Sequence, residues 1–263
     1  MKHVPVAVLA RDLEASLRAL GAPERAAQEK RYLKSSLVHF GVSVPATRKV
    51  AQAFRKAHAD LDRVALLALV DALWRRGVYE CRRTAVELLE LFGERLLPED
   101  LGGVVERLVR ESGTWALVDE LAAIVAGRLV ERFPDLAPTL DRWALDEDFW
   151  IRRSALLAEL VPLREGRGDF DRFGRHADAM LGETEFFVRK AIGWVLRDTS
   201  RRDPERVAAW LLPRAARASG LTLREATKRL PARRRAEILR EAEGVGKAPP
   251  RSARTTKRPT RGR

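Results

Sequence analysis

The feature that most limits what this chain can become is its punctuation. Apolar residues recur at helical spacing, and glycine or proline interrupts them after roughly 10–17 residues, too long for strands and ordinary for helices. Val8, Leu9, Leu13, Leu17 and Leu20 share one helical face, and Gly21 stops the run. Pro23 opens a second helix holding Tyr32, Leu33, Lys34 and Leu37 and ending near Phe40-Gly41. Further helices are expected over 45–58, 60–76, 78–92, 98–108, 114–130, 134–143, 149–160, 170–180, 184–199, 203–212, 222–229 and 231–242. Thr114 and Asp146 read as N-caps, and 162–169 reads as a charged, glycine-rich loop. No strand-like alternation competes. Short links between successive helices make neighbours antiparallel. The expected fold is all-α, a HEAT-like α-α superhelix: a curved solenoid of antiparallel helix pairs with a concave binding wall. Units share little sequence identity, so the repeat is inferred from helix length and spacing alone.

Composition narrows the function classes. Alanine, leucine, arginine and glutamate dominate, all good helix formers. The single cysteine, Cys81, excludes an intrachain disulfide and a cysteine-based metal site, and its spacing makes it a small buried hydrophobe. His3, His39, His58 and His176 show no ligand spacing, so no metal and no cofactor are expected. No apolar run is long enough to span a membrane. The short apolar run at the N-terminus passes at once into Arg11-Asp12-Leu13-Glu14, an amphipathic helix and not a signal peptide, so a cytoplasmic protein is expected. Formal charge is +13, and residues 244–263 hold seven Lys or Arg and no acid, leaving +6 on the body. The organisation expected is one domain over residues 1–243 and a disordered basic tail over 244–263. A basic body together with a basic tail points toward nucleic acid.

Three segments depart from ordinary helix surface. In the first, Trp115 and Asp119 are four residues apart and stack on one face. The plain alternative is a core tryptophan beside a first-turn acid favoured by the helix dipole. In the second, Phe149-Trp150-Ile151-Arg152-Arg153, Trp150 reads as core, and one arginine pairs with an acid such as Asp148 or Glu147. In the third, Lys190 and Trp194 share one face, and Arg189, Gly193 and Arg197 share the next. Gly193 inside a helix costs about 1 kcal/mol against alanine, so another helix or a ligand backbone approaches there. Forked arginines can hold phosphates, and indoles offer flat faces to a sugar or base. Phosphate-loop, dinucleotide-binding, zinc-protease and Ser-His-Asp patterns are all missing.

These residues resemble the AlkD family of DNA alkylation repair proteins, HEAT-like DNA glycosylases that work without metal. The resemblance rests on Tyr32-Leu33-Lys34 with Phe40-Gly41-Val42 and Pro45, Leu73-Trp74 with Glu80, Thr114-Trp115-Ala116-Leu117-Val118-Asp119, Phe149-Trp150-Ile151-Arg152-Arg153, and Arg189-Lys190-Ala191-Ile192-Gly193-Trp194-Val195-Leu196-Arg197. They occur in the family's order and cover roughly residues 5–240. The resemblance implies that Asp119, Trp115 and Trp194 are catalytic. It implies a backbone-gripping arginine at Arg153 or Arg152, further DNA contacts from Arg189, Lys190, Arg197 and Lys34, and Tyr32 near the lesion.

The activity so implied is hydrolysis of the N-glycosidic bond of cationic N3- or N7-alkylated purines in duplex DNA, leaving an abasic site, without the deep pocket of base-flipping enzymes. Implied with it are double-stranded DNA as partner, no membrane, a monomer with no obligate protein partner, and association with the nucleoid. Two other readings stay open on the residues. One is a non-catalytic HEAT-like protein that binds damaged or branched DNA. The other is a helical scaffold whose aromatics are mostly core.

Overall fold

A computed structural model describes residues 4–244. The first half contains α1 (Val6–Ala19), α2 (Pro23–Leu33), α3 (Val44–Ala57), α4 (Arg63–Trp74), α5 (Tyr79–Leu91), α6 (Glu106–Glu111), α7 (Trp115–Glu120) and α8 (Gly127–Arg132). The second contains α9 (Ala137–Trp143), α10 (Phe149–Leu157), α11 (Leu160–Glu165), α12 (Phe170–Ala179), α13 (Phe186–Thr199), α14 (Pro204–Leu211), α15 (Gly220–Ala226) and α16 (Ala232–Gly244). A wide π-helical stretch, Leu121–Ala126, joins α7 to α8 without a break, so one helix runs from Trp115 to Arg132. Among the described residues the only extended pairing is one bridge between Val38 and Val78, and the fold is all-α.

Helices α3, α5, α7–α8, α10–α11, α13 and α15 pack side by side in that order. Behind them α4 backs α5, α6, α9 and α12 back α10, and α14 backs α13. This is the two-layer stacking of a HEAT-like α-α superhelix. Its apolar core is continuous from Leu9 to Ile238 and includes the fully buried Trp74, Phe92, Trp143 and Phe173.

The repeat that identity hides is visible in the ion pairs. Arg48 meets Glu87 at 2.9 Å, Arg63 meets Asp100 at 2.6 Å, and Arg110 meets Asp146 at 2.6 Å. Arg167 meets Glu131 at 2.9 Å and Arg214 meets Asp178 at 3.1 Å. A hydrogen bond of 2.7 Å joins Asp141 to His176, and burial holds that imidazole's pKa below its usual value. Each pair joins residues 35–39 apart, one helical repeat onward. Each has at least one partner open to solvent, and such contacts contribute at most about 1 kcal/mol each. Their larger effect is to fix which turn of one repeat faces which turn of the next.

Several local expectations change. Helix α2 stops at Leu33, not near Phe40, because Lys34 adopts a left-handed φ of 50°. The following loop is held by buried Glu80, whose carboxylate accepts the N–H groups of Phe40, Gly41 and Val42 at 3.0, 2.6 and 3.1 Å. Those apolar residues looked helical because they are buried, although their backbone is not helical. The cap of α10 is Asp148, which accepts from the Trp150 N–H at 2.8 Å. Asp146 instead accepts the N–H of Asp148 and pairs with Arg110. Thr114 occupies the N-cap position of α7, but its hydroxyl makes no capping bond. Helix resumes at α11 inside the segment read as loop, since Pro162 sits in the first turn, where a backbone donor is not needed. Cys81 is fully buried, and burial pushes its thiol up to about 12. The tail expected over 244–263 lies outside the described residues except for Gly244, the last residue of α16.

Candidate functional site

The α7 helix carries Trp115 and Asp119 onto the same face because they are one turn apart. In the neighbouring repeat, α10 presents Arg153 to it. The guanidinium grips both carboxylate oxygens of Asp119, Nε donating to Oδ1 at 2.8 Å and Nη2 to Oδ2 at 2.9 Å. Its Nη1 donates to the carbonyl of Phe187. The Arg153 side chain is only 2% exposed and that of Asp119 12%, so the pair is oriented by packing as well as charge.

Around this pair opens a cleft of about 570 Å³. Tyr32, at the end of α2, forms one side and meets Trp115 edge-on, with ring centroids 5.9 Å apart. The opposite side is one face of α13: Phe186, Lys190, Trp194 and Arg197 follow one another at helical spacing. The Lys190 ammonium lies 5.8 Å from the centroid of the half-exposed Phe186 ring. Phe187 lines the cleft too and stacks into a cluster with Trp150, 4.9 Å between centroids, and Phe149. Glu225 and Lys228 close the far wall. The lining therefore carries four cations and two carboxylates, a net positive wall around Asp119.

Of the residues expected from sequence, Asp119, Trp115, Trp194, Arg153, Lys190, Arg197 and Tyr32 meet in this one cleft. Three others are not among its lining. Arg152 is tied to the carbonyls of Asp146 and Glu147 at 2.7 and 2.8 Å and to the Glu183 carboxylate at 2.6 Å. Arg189 donates to the carbonyl of Glu183. Lys34 ends α2 with its strained φ. The arginines' acid partners are thus Glu183 and Asp119, not Asp148 or Glu147. Trp150 is partly buried against the core. Gly193 answers to helix packing and not to a ligand, since α15 crosses directly over it.

Sequence reasoning missed Phe186, Glu225 and Lys228. Phe186 was reachable by extending the Lys190–Trp194 face one turn back. Glu225, on α15, and Lys228, in the 3-10 turn that follows it, are three residues apart and resemble any solvated pair.

Two other grooves have similar volumes, about 530 and 600 Å³, but neither is lined by an aromatic ring beside a carboxylate. Among the described residues one grouping has metal-ligand proximity, Glu29, His39 and Glu80, with ligand atoms within 4.8 Å of one another. Sequence spacing could not show it, because the loop after α2 brings His39 back to α5. Both oxygens of Glu80 already accept backbone N–H groups, which leaves this cluster a clamp for the loop. No described helix is long and apolar enough to cross a membrane.

Fold and cleft together define a HEAT-like helical-repeat protein with an aromatic and carboxylate site set in a basic wall. The family model for DNA alkylation repair enzymes matches residues 13–230, and the chain belongs to that family, in its AlkD-type form. A solved structure described as a predicted DNA alkylation repair enzyme from Enterococcus faecalis is similar at 26% identity and a TM-score of 0.71, covering 81% of this chain and 97% of that one. No curated protein matches the sequence significantly.

Proposed function

We propose that this protein is a DNA glycosylase that releases cationic N3- or N7-alkylated purines from duplex DNA and leaves an abasic site. The observation that carries the reading is a carboxylate, Asp119, gripped by Arg153 in an open cleft lined by aromatic rings and cations. An alkylated purine of this kind is already positive and departs as a neutral base, so no strong general acid is required. Positive charge then builds on the deoxyribose. Asp119 stabilises that charge and orients or deprotonates the attacking water. Each of its oxygens accepts one Arg153 donor and retains a lone pair for that task. Trp115 and Trp194 flank the sugar, and their ring faces favour a cationic centre.

The phosphates flanking the lesion fall to Lys190 and Arg197, because Arg153 has committed its donors to Asp119 and to the Phe187 carbonyl. The shallow opening suits recognition of backbone and sugar better than enclosure of a base. Both carboxylates in the cleft are bound by cations, which supports chemistry without a metal. In this reading the protein works as a monomer, in the cytoplasm, on chromosomal DNA.

The test is release of N7-methylguanine from a defined duplex in EDTA, comparing the parent with Asp119→Asn. The parent should release the base, and the variant should be slower by roughly 100–1000-fold, the usual loss when one transition-state electrostatic contact goes. A folded parent that binds the duplex and releases nothing would leave a DNA-binding protein in place of the enzyme.

A further inference from the structure

The far wall of the cleft carries a carboxylate that the proposed chemistry does not use. Glu225, on α15, has a side chain only 13% exposed. It accepts a hydrogen bond from Arg197 Nη1 and another from Lys228 Nζ. Its placement depends on Gly193. A Cβ at that position would lie 2.5 Å from the Cβ of Glu225 and 2.9 Å from the carbonyl oxygen of Thr222. The chain therefore accepts a poor helix former in the middle of α13 so that α15 can seat Glu225 over it. Burial works against the charged form of Glu225, but Lys228, Arg197 and Lys190 outweigh it and hold its carboxyl below the usual range. One anion thus sits among three cations on a wall that faces an open cleft.

A carboxylate in that position makes the same demands as a phosphodiester: paired anionic oxygens facing forked or clustered donors. The other arginines near the cleft are committed elsewhere, which leaves this cluster as the cationic surface toward a bound strand. We propose that Glu225 is an internal counter-anion, holding Arg197 and Lys228 in the free protein at the place a DNA backbone phosphate takes on docking. The inference rests on the DNA reading above and adds a consequence to it. A phosphate must exchange with Glu225, so random duplex is held weakly, and only a strand whose lesion also engages the Asp119 side of the cleft repays the exchange. Glu225 is then a positioning residue that sets discrimination, and Lys228 is a phosphate contact.

The experiment is fluorescence anisotropy with a labelled unmodified duplex and the full chain, over a range of salt concentrations. Glu225→Gln keeps the side chain's volume. It should bind about 3–10-fold more tightly, the effect of removing one nearby screened negative charge. Its plot of log affinity against log salt should steepen by about one counterion. Lys228→Ala should bind more weakly with a shallower slope, and the gain from Glu225→Gln should shrink in the double variant. Glu225→Asp, which draws the carboxylate back by one methylene, should move in the same direction by less and guards against misfolding of the first variant. If Glu225→Gln melts like the parent and shows the parent's affinity and slope, Glu225 is only a packing residue and the inference falls. A folded parent that binds no duplex would overturn the DNA reading itself, and this inference with it.

Discussion

Asp119 and Arg153 hold each other at a depth where neither charge would be comfortable alone. Both guanidinium nitrogens facing Asp119 donate to it, and a third contact goes to a backbone carbonyl, which fixes the pair while leaving each Asp119 oxygen a lone pair toward the cleft. Removing one partner of such a pair costs about 3–5 kcal/mol, much of it from the charge left behind. Arg153→Ala should therefore lower unfolding free energy by about 3 kcal/mol in urea and abolish base release at temperatures where it stays folded. An Arg153→Ala protein as stable as the parent would show that the pair contributes no more than a surface contact. This residue also marks where sequence reasoning stopped. Trp115 and Asp119 were legible because one helical turn relates them. Arg153 was legible as an arginine that matters, but its partner is 34 residues away, and no local spacing reveals which charge it faces.

At the scale of elements, helix existence was readable because glycine and proline divide apolar runs whose period is plainly helical. Helix ends were less readable. Lys34 ends α2 by a backbone conformation that no composition announces, and Glu80 completes the turn from 38–40 residues onward. Gly193 was noticed as costly, and packing supplies its reason: α15 leaves no room for a methyl group. Gly193→Ala sets two effects against each other. Helix propensity favours alanine by about 1 kcal/mol. Forcing apart two close-packed helices costs about 1–3 kcal/mol, and here one obstacle is backbone, which cannot swing aside. The net expectation is a loss of stability with α15 displaced, which also moves Glu225 and Lys228. Calorimetry on the variant checks the first part, and a rise in melting temperature would mean that α13 and α15 are less tightly coupled than their geometry indicates.

For the whole molecule, the ladder of ion pairs turns pH into a probe of how the repeats are joined. Sequence could not show the ladder, because its charges look like ordinary helix surface until the repeats are laid beside one another. Glu106 is an acidic junction of that ladder, 12% exposed, where Arg110 and Arg142 converge and the Trp143 indole N–H donates at 2.8 Å. Burial alone would raise its carboxyl, but the donors from Arg142, Arg110 and Trp143 prevail and bring it from 4.5 down to about 2. A carboxyl depressed in the folded state contributes stability that is complete above its unfolded value and fades as pH falls through the folded one. Arg110 and Arg142 are 38% and 53% exposed, so solvent screens the pairing and the contribution of Glu106 is about 1–2 kcal/mol, present above pH 4.5 and disappearing toward pH 2. Glu106→Gln removes the titration while nearly preserving shape. In urea unfolding the parent should exceed the variant by about that amount near pH 6, and the difference should close as pH approaches 2. A difference that stays constant with pH would mean that Glu106 joins its repeats through packing and neutral hydrogen bonds, with its charge contributing nothing to the register of the superhelix.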